Sequence, residues 1–414
     1  MSELICSIDV GTSKICALIG ELDEQNNLRV IGAGRVSSQG LRKGVVVNAA
    51  EATASIAGAI AEAEKSANQT MESAFVGISG SHINAIGSKG VVAVGRGGRS
   101  ITKEDIQRAL DQARNIALPH SREIIHAVAR SFCVDDQKGI QDPIGMIGYR
   151  LEVDATIFTG ASTAVTNLVN CIQAHGVVVE DLVLQSLASA EAVLTDDERQ
   201  LGVALVDLGG GTSDIAIYME GAPWHTMVMD IGGSYFIKDV AVGLRMPYGK
   251  AEALMKQFGH VLPSQVPADA EVRSGAFGED GQQVINRRTL AEILNARAEE
   301  TLDLIVREIK RSGYDDLLPA GVVLTGGLVQ LAGFAELSRA RCQPALGASP
   351  GWPVRVGRPD GLASSVFDLS SPEYATAVGL LLWGLRYGTT RRSPEQPTSQ
   401  FIERILKWLR SLLP

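Results

Sequence analysis

Ser7-Ile8-Asp9-Val10-Gly11-Thr12-Ser13 near the start of the chain returns, extended, as Val206-Asp207-Leu208-Gly209-Gly210-Gly211-Thr212-Ser213-Asp214. Each copy follows an apolar run and precedes a second alternating run, Ile15–Gly20 in one case and Ile215–Tyr218 in the other. Two strand–Asp–Gly–Ser/Thr–strand hairpins, their aspartates 198 positions apart (207 − 9), mark a duplicated unit. Glycine permits positive φ and brings backbone N–H groups close to an anion. The hydroxyls of Thr12, Ser13, Thr212 and Ser213 add donors. Asp9 and Asp207 repel phosphate, so they make sense with a divalent cation, carrying waters, between them and the phosphates. The two loops read as a nucleotide clamp between related halves.

A third piece is Val322-Val-Leu-Thr-Gly326-Gly327-Leu, an apolar strand whose bare glycines suit a base or ribose, or else a plain strand-to-helix turn. A fourth is Gly249-Lys-Ala-Glu252-Ala-Leu-Met-Lys256, in which Glu252 and Lys256 share a helix face. They are either a solvent ion pair or contacts to ribose and base. Gly232-Gly233 completes the candidate nucleotide-contacting glycines. Gln185, between a strand and a helix, could orient a water toward a γ-phosphate; with Asp207 it is the candidate catalytic residue. An amide is no strong base, so hydrolysis is expected to be slow at most. Lys14 is a phosphate ligand or a surface lysine.

Length (414 residues) allows two to four domains. Hydrophobic content of 45% and charge of 21% are ordinary for a globular protein. A net charge of −9 argues against nucleic acid as a partner. Five scattered cysteines, with no Cys-x-x-Cys, predict buried thiols in a reducing compartment. The opening predicts no signal peptide, and Ala377–Leu385 is too short to span a membrane.

Strands are expected at Leu4–Gly20, Leu28–Ser37, Ala74–Ile78, Val177–Leu184 and Val322–Thr325. Helices are expected at Val47–Ala67, Thr163–His175, Leu187–Leu194, Ile237–Val242, Lys250–Phe258, Thr289–Lys310, Gly333–Cys342 and Glu373–Leu385. Between 82 and 158 the character changes to a compact α+β insert. Its helix Ile106–Ile116 is opened by a capping box, Thr102-Lys-Glu-Asp105, and strands are expected at Ile124–Val134 and Tyr149–Phe158. Pro263–Asp280 reads as a polar loop. The alternation predicts α/β architecture.

The end of the chain has the opposite charge. From Arg386 onward, six basic residues against two acidic leave +4. A Pro/Ser/Thr/Arg stretch at 388–398 reads as a flexible linker. In the segment 399–414, Phe401, Ile402, Ile405, Leu406, Trp408, Leu409, Leu412 and Leu413 form one apolar helical face opposite a basic one. That pattern suits a helix lying on an anionic lipid membrane, or one docked on a protein surface. Burying that face supplies several kcal/mol at ~25 cal/mol per Å², less the ordering cost.

Paired Asp-Gly loops, a connecting helix and Thr-Gly-Gly resemble the actin-like ATPase superfamily. Within it, Ser7-Ile-Asp-Val-Gly-Thr-Ser, Gln185-Ser-Leu-Ala-Ser-Ala-Glu, the second Asp-Gly loop, Pro353-Val-Arg-Val-Gly-Arg-Pro and the amphipathic tail resemble the FtsA family of bacterial division proteins over the whole chain. The resemblance implies an actin-like (ribonuclease H-like) duplicated two-lobed α/β fold with an inserted α+β subdomain. Subdomain 1A would hold 1–81, 159–200 and about 361–387; 1C would be 82–158; 2A would be 201–240 and 321–360; 2B would be 241–320. It implies ATP and Mg²⁺ in the cleft, the metal reached through water from Asp9 and Asp207. It also implies self-assembly into actin-like protofilaments, recruitment of later divisome proteins through 1C, and a peripheral location on the cytoplasmic face of the membrane at the division site. Capture of the FtsZ C-terminal tail by 2B is implied as well. Matching the family onto Ile293-Leu-Asn-Ala-Arg297 makes Arg297 a candidate contact, with Arg287 and Arg288 beside it as a basic cluster on a helix start; a solvated face is the plain reading. Ala296 departs from the proline usual there. The rival functions are a soluble kinase of the same superfamily, a chaperone, and a rod-shape or pilus-assembly ATPase.

Overall fold

A computed structural model describes residues 4–23, 25, 27–95, 98–275, 282–342, 351–364 and 368–388. The linker and amphipathic tail expected at the end therefore lie outside the described residues, apart from Gly388.

The first half is a six-stranded sheet in the order Val178–Leu184, Ser73–Ile78, Leu4–Val10, Lys14–Leu22, Leu28–Ser37, Ala363–Ser364. Leu4–Val10 is nearly all apolar and, past Leu4, wholly buried, as a strand covered on both faces must be. It turns back on Lys14–Leu22 as an antiparallel hairpin and pairs in parallel with Ser73–Ile78, placing Asp9 opposite Gly77. Helix Ala49–Ala67 covers this sheet. Asn48 caps it by accepting the Glu51 N–H, and Asn68 ends it at φ 52°. Its alanines let it lie on the sheet at backbone distance.

The second half repeats the plan. Its five strands run Ala222–Met229, Ser213–Met219, Val203–Leu208, Val322–Thr325, Val354–Val356. Val203–Leu208 again makes an antiparallel hairpin with the next strand and a parallel pair with a third. Helix Arg287–Arg311 lays Leu290, Leu294, Leu302, Ile305 and Ile309 into the core of this half. The polar stretch expected to be a loop contains a strand, Glu271–Gly275, paired with Gln282–Asn286. Val272 is its one apolar residue, and it packs with its partner Ile285 on the core of this half, too short a pattern to show as hydrophobic alternation.

The insert is a separate four-stranded antiparallel sheet, in the order Gln137–Ile140, Arg122–Val134, Arg150–Ala161, Asn84–Ala93. Helix Lys103–Arg114 packs on it over a core that includes Ala109, Phe132, Leu151 and Ile157. Thr102 and Asp105 form the expected capping box, and Asp105 also takes bidentate hydrogen bonds from Arg99 at 2.7 Å and a contact from Arg108.

The halves meet through two helices, Gln185–Val193 and Ala375–Tyr387. They touch so closely that a Cβ on Gly379 would lie 1.8 Å from the Ala188 carbonyl oxygen. The second helix also covers the first strand, where Ser7 Oγ donates to the Ala377 carbonyl at 2.9 Å.

Candidate nucleotide site

Both Asp-Gly hairpins end at the seam between the halves. Gly11 N–H closes its own turn on Lys14 O, and Gly209 N–H does the same on Thr212 O, each at 3.0 Å. The glycines are needed because the loops press on each other. A Cβ on Gly210 would lie 2.5 Å from Ser13 Oγ, and one on Gly211 would lie 2.6 Å from Thr12 Oγ1. The structure thus brings Gly11, Thr12, Ser13, Gly209, Gly210, Gly211, Thr212 and Ser213 to one place. Gly232 and Gly233 join them at the N-terminus of helix Gly233–Gly243, with the Gly233 and Ser234 N–H groups bonded to the Gly209 and Gly210 carbonyls. Gly326 arrives at φ 92°, where a Cβ would be 2.5 Å from Asp207 Oδ1.

The aspartates are buried at this seam. Gln185 donates from Nε2 to Asp9 Oδ1 at 3.0 Å and to the Val10 carbonyl at 3.3 Å. Asp207 Oδ2 accepts from Ser189 Oγ at 2.5 Å and Thr376 Oγ1 at 3.2 Å. Asp214, a third buried carboxylate, accepts from Ser79 at 2.5 Å and Thr212 at 3.1 Å.

Burial pushes the Asp9 carboxyl up to about 7; Lys14 opposes the rise and Asp207 adds to it. Burial likewise raises Asp214 to about 7, with Ser79 opposing and Asp207 reinforcing. Asp207 is raised by burial too, against the hydrogen bonds from Ser189 and Thr376. Three acidic groups that resist ionisation together fit a divalent cation, which would supply the missing positive charge. Among the described residues no group of three His, Cys, Asp or Glu could hold a metal.

Other sequence candidates lie differently. Lys14 is turned to Glu373, bonding its backbone carbonyl and, at 3.2 Å, its carboxylate, with the ammonium 4.4 Å from the Tyr374 ring centroid. Glu252 and Lys256 make an ion pair of 2.6 Å on helix Tyr248–Phe258. The arginines do not form one basic cluster. Arg297 is ten residues (297 − 287) along its helix, about 15 Å from the start, and is paired with Asp239 at 2.5 Å and Glu300 at 2.6 Å. Arg288 spends its guanidinium on the Val266 carbonyl, and Arg287 lies over the Phe258 ring.

Ser79, Ser189, Asp214 and Thr376 were missed as site residues. Only two carried a signal: Asp214 stands inside the repeated motif, and Ser189 follows Gln185 by one helical turn.

Two hairpins meeting at buried aspartates, in halves of one plan joined by crossing helices, are the actin-like ATPase fold. Solved structures share it: the PilM–PilN type IV pilus biogenesis complex (TM-score 0.65, 15% identity, covering 92% of this chain and 98% of that one); MreB 5 of Spiroplasma citri bound to AMPPNP (0.52, 12%, 95% and 98%); and the MamK double helical filament (0.51, 15%, 95% and 99%). The sequence matches the family described as "Cell division protein FtsA" over residues 204–379, and "SHS2 domain inserted in FTSA" over 80–159. FtsA of Pseudomonas aeruginosa is 38% identical, covering 98% of this chain and 97% of its own. FtsA of Bacillus subtilis is 35% identical (93% and 84%), and that of Escherichia coli K12 is 31% identical (99% and 98%). The chain belongs to the FtsA family of cell division proteins.

Proposed function

We propose that this cell division protein binds ATP with Mg²⁺ in the cleft and polymerises on the cytoplasmic face of the cell membrane at the division site. There it tethers FtsZ and helps recruit later divisome proteins through the insert. The observation that carries the nucleotide part is the pair of facing glycine hairpins with buried aspartates behind them. Gly11 and Gly209 use their N–H groups to close their own turns, so donors for phosphate fall to the residues that follow each. Bound Mg²⁺ would supply charge neutralisation; Asp9 and Asp207 would orient its waters. Gln185 is held beside Asp9 as a neutral group, which supports slow ATPase activity at most.

The membrane part rests on the amphipathic pattern of 401–413. Among the described residues no helix is long and apolar enough to cross a membrane. FtsZ binding rests on family membership; the pairing of Arg297 with Asp239 and Glu300 means that an acidic peptide would have to displace one of them.

Liposome co-sedimentation tests the reading, with and without anionic lipid and ATP, for the full chain and a truncation after Gln396. Pelleting of the full chain alone, with anionic vesicles, supports the tether. If neither pellets, the tail is not a membrane helix.

A further inference from the structure

The rims of the two hairpins are joined by residues that neither hairpin contains. Leu41–Arg42 and Val45–Val46 form a short antiparallel ladder with Lys43 (φ 51°) and Gly44 (φ 76°) at its tip. Gly44 N–H donates to Thr12 Oγ1 at 3.1 Å, and a Cβ on Gly44 would lie 2.6 Å from the Ser79 carbonyl oxygen. The tip is therefore seated on the first hairpin. From it Lys43 crosses to the second half, where Nζ lies 3.2 Å from Asp230 Oδ2 and 6.0 Å from the Tyr235 ring centroid. Asp230 is equally well anchored. The next residue, Ile231, accepts the Ser213 hydroxyl at 2.7 Å, and the Gly233 and Ser234 amides hold the Gly209 and Gly210 carbonyls. A buried second tie, Ser79 Oγ to Asp214 Oδ1, spans the same seam.

We propose that Lys43 and Asp230 form a clasp between the two phosphate hairpins that sets how fast nucleotide leaves. This rests on the nucleotide reading of the cleft. A ligand clamped between two halves departs when they part, and parting them must separate this pair. The side chains are 34% and 41% exposed, so the clasp is weak and salt-screened. It tunes release without being needed for binding.

The test is the release rate of a fluorescent ATP analogue from the full chain with Mg²⁺, chased with excess ATP, at low and high salt. Lys43→Met and Asp230→Asn should each release about two- to fivefold faster at low salt, the range an exposed pair allows. The exchanged pair, Lys43→Asp with Asp230→Lys, should return to within about twofold of the parent, as direct pairing requires. Added salt should speed the parent and leave the single variants unchanged. Single variants releasing at the parental rate, or an exchanged pair as fast as the singles, would overturn the clasp. A parent that holds no analogue at all would remove the nucleotide reading, and the clasp with it.

Discussion

Asp9 and Asp214 give the site a pH signature. A carboxyl whose folded pKa is raised above its unfolded value, about 4, keeps its proton in the folded state alone between the two values. Stability then falls as pH rises through that window, here up to about 7. Without nucleotide or Mg²⁺, Tm should decline from pH 5 to 8. Asp9→Asn should flatten the decline, and added Mg²⁺ with ATP should raise Tm more at pH 8 than at pH 6. Equal slopes for parent and variant would contradict this. Gly326 offers a steric test. Alanine there faces a left-handed backbone and the Asp207 carboxylate at once, so strain alone costs about 1–3 kcal/mol. Gly326→Ala should lower Tm and weaken ATP binding at least tenfold by titration, a loss beyond what global destabilisation would give. Asp9 and Asp207 were legible because Asp-Gly recurs in the same strand–turn–strand setting. Ser189 and Thr376, which hold Asp207 from 18 and 169 positions away, were not: no local pattern encodes who meets across a seam.

Among the elements, the helix of the insert depends on one buried side chain. The Asp105 carboxylate is 1% exposed and accepts from the Thr102 N–H as well as from Arg99. Asp105→Ala should destabilise the insert by about 1–3 kcal/mol, the range for losing a cap and leaving a buried donor unpaired. Urea unfolding followed by a probe in the insert would measure it. Arg99→Ala and Arg108→Ala should cost less, because both arginines are about half exposed. Elements with a buried face were readable to within a few residues: helix Arg287–Arg311 was expected at Thr289–Lys310, and strand Val322–Thr325 at the same residues. The hairpin of Glu271–Gly275 and Gln282–Asn286 was not, since its single inward pair, Val272 and Ile285, is too short a pattern to stand out from a polar loop.

At the scale of the whole chain, the duplicated plan followed from one repeated motif, because two hairpins in like settings imply two like sheets. The crossing of helices Gln185–Val193 and Ala375–Tyr387 was illegible, since glycine and alanine stripes do not name their partners. The tail makes its own prediction: Trp408→Glu should abolish vesicle pelleting and leave ATP affinity unchanged, as a charge within the apolar face opposes insertion. Loss of both would place the tail against the cleft instead.

Ser7 finds its partner in Ala377, 370 residues away, and that separation matters during synthesis. The earliest strand made is covered by one of the latest helices, so a nascent chain carries Ile5 and Phe75 without their final cover until Ala375–Tyr387 leaves the ribosome. Such distant pairings close slowly. A message broken before that codon range would yield a sticky fragment, fit for chaperones and proteases. A complete chain would seal its core once that helix is in place.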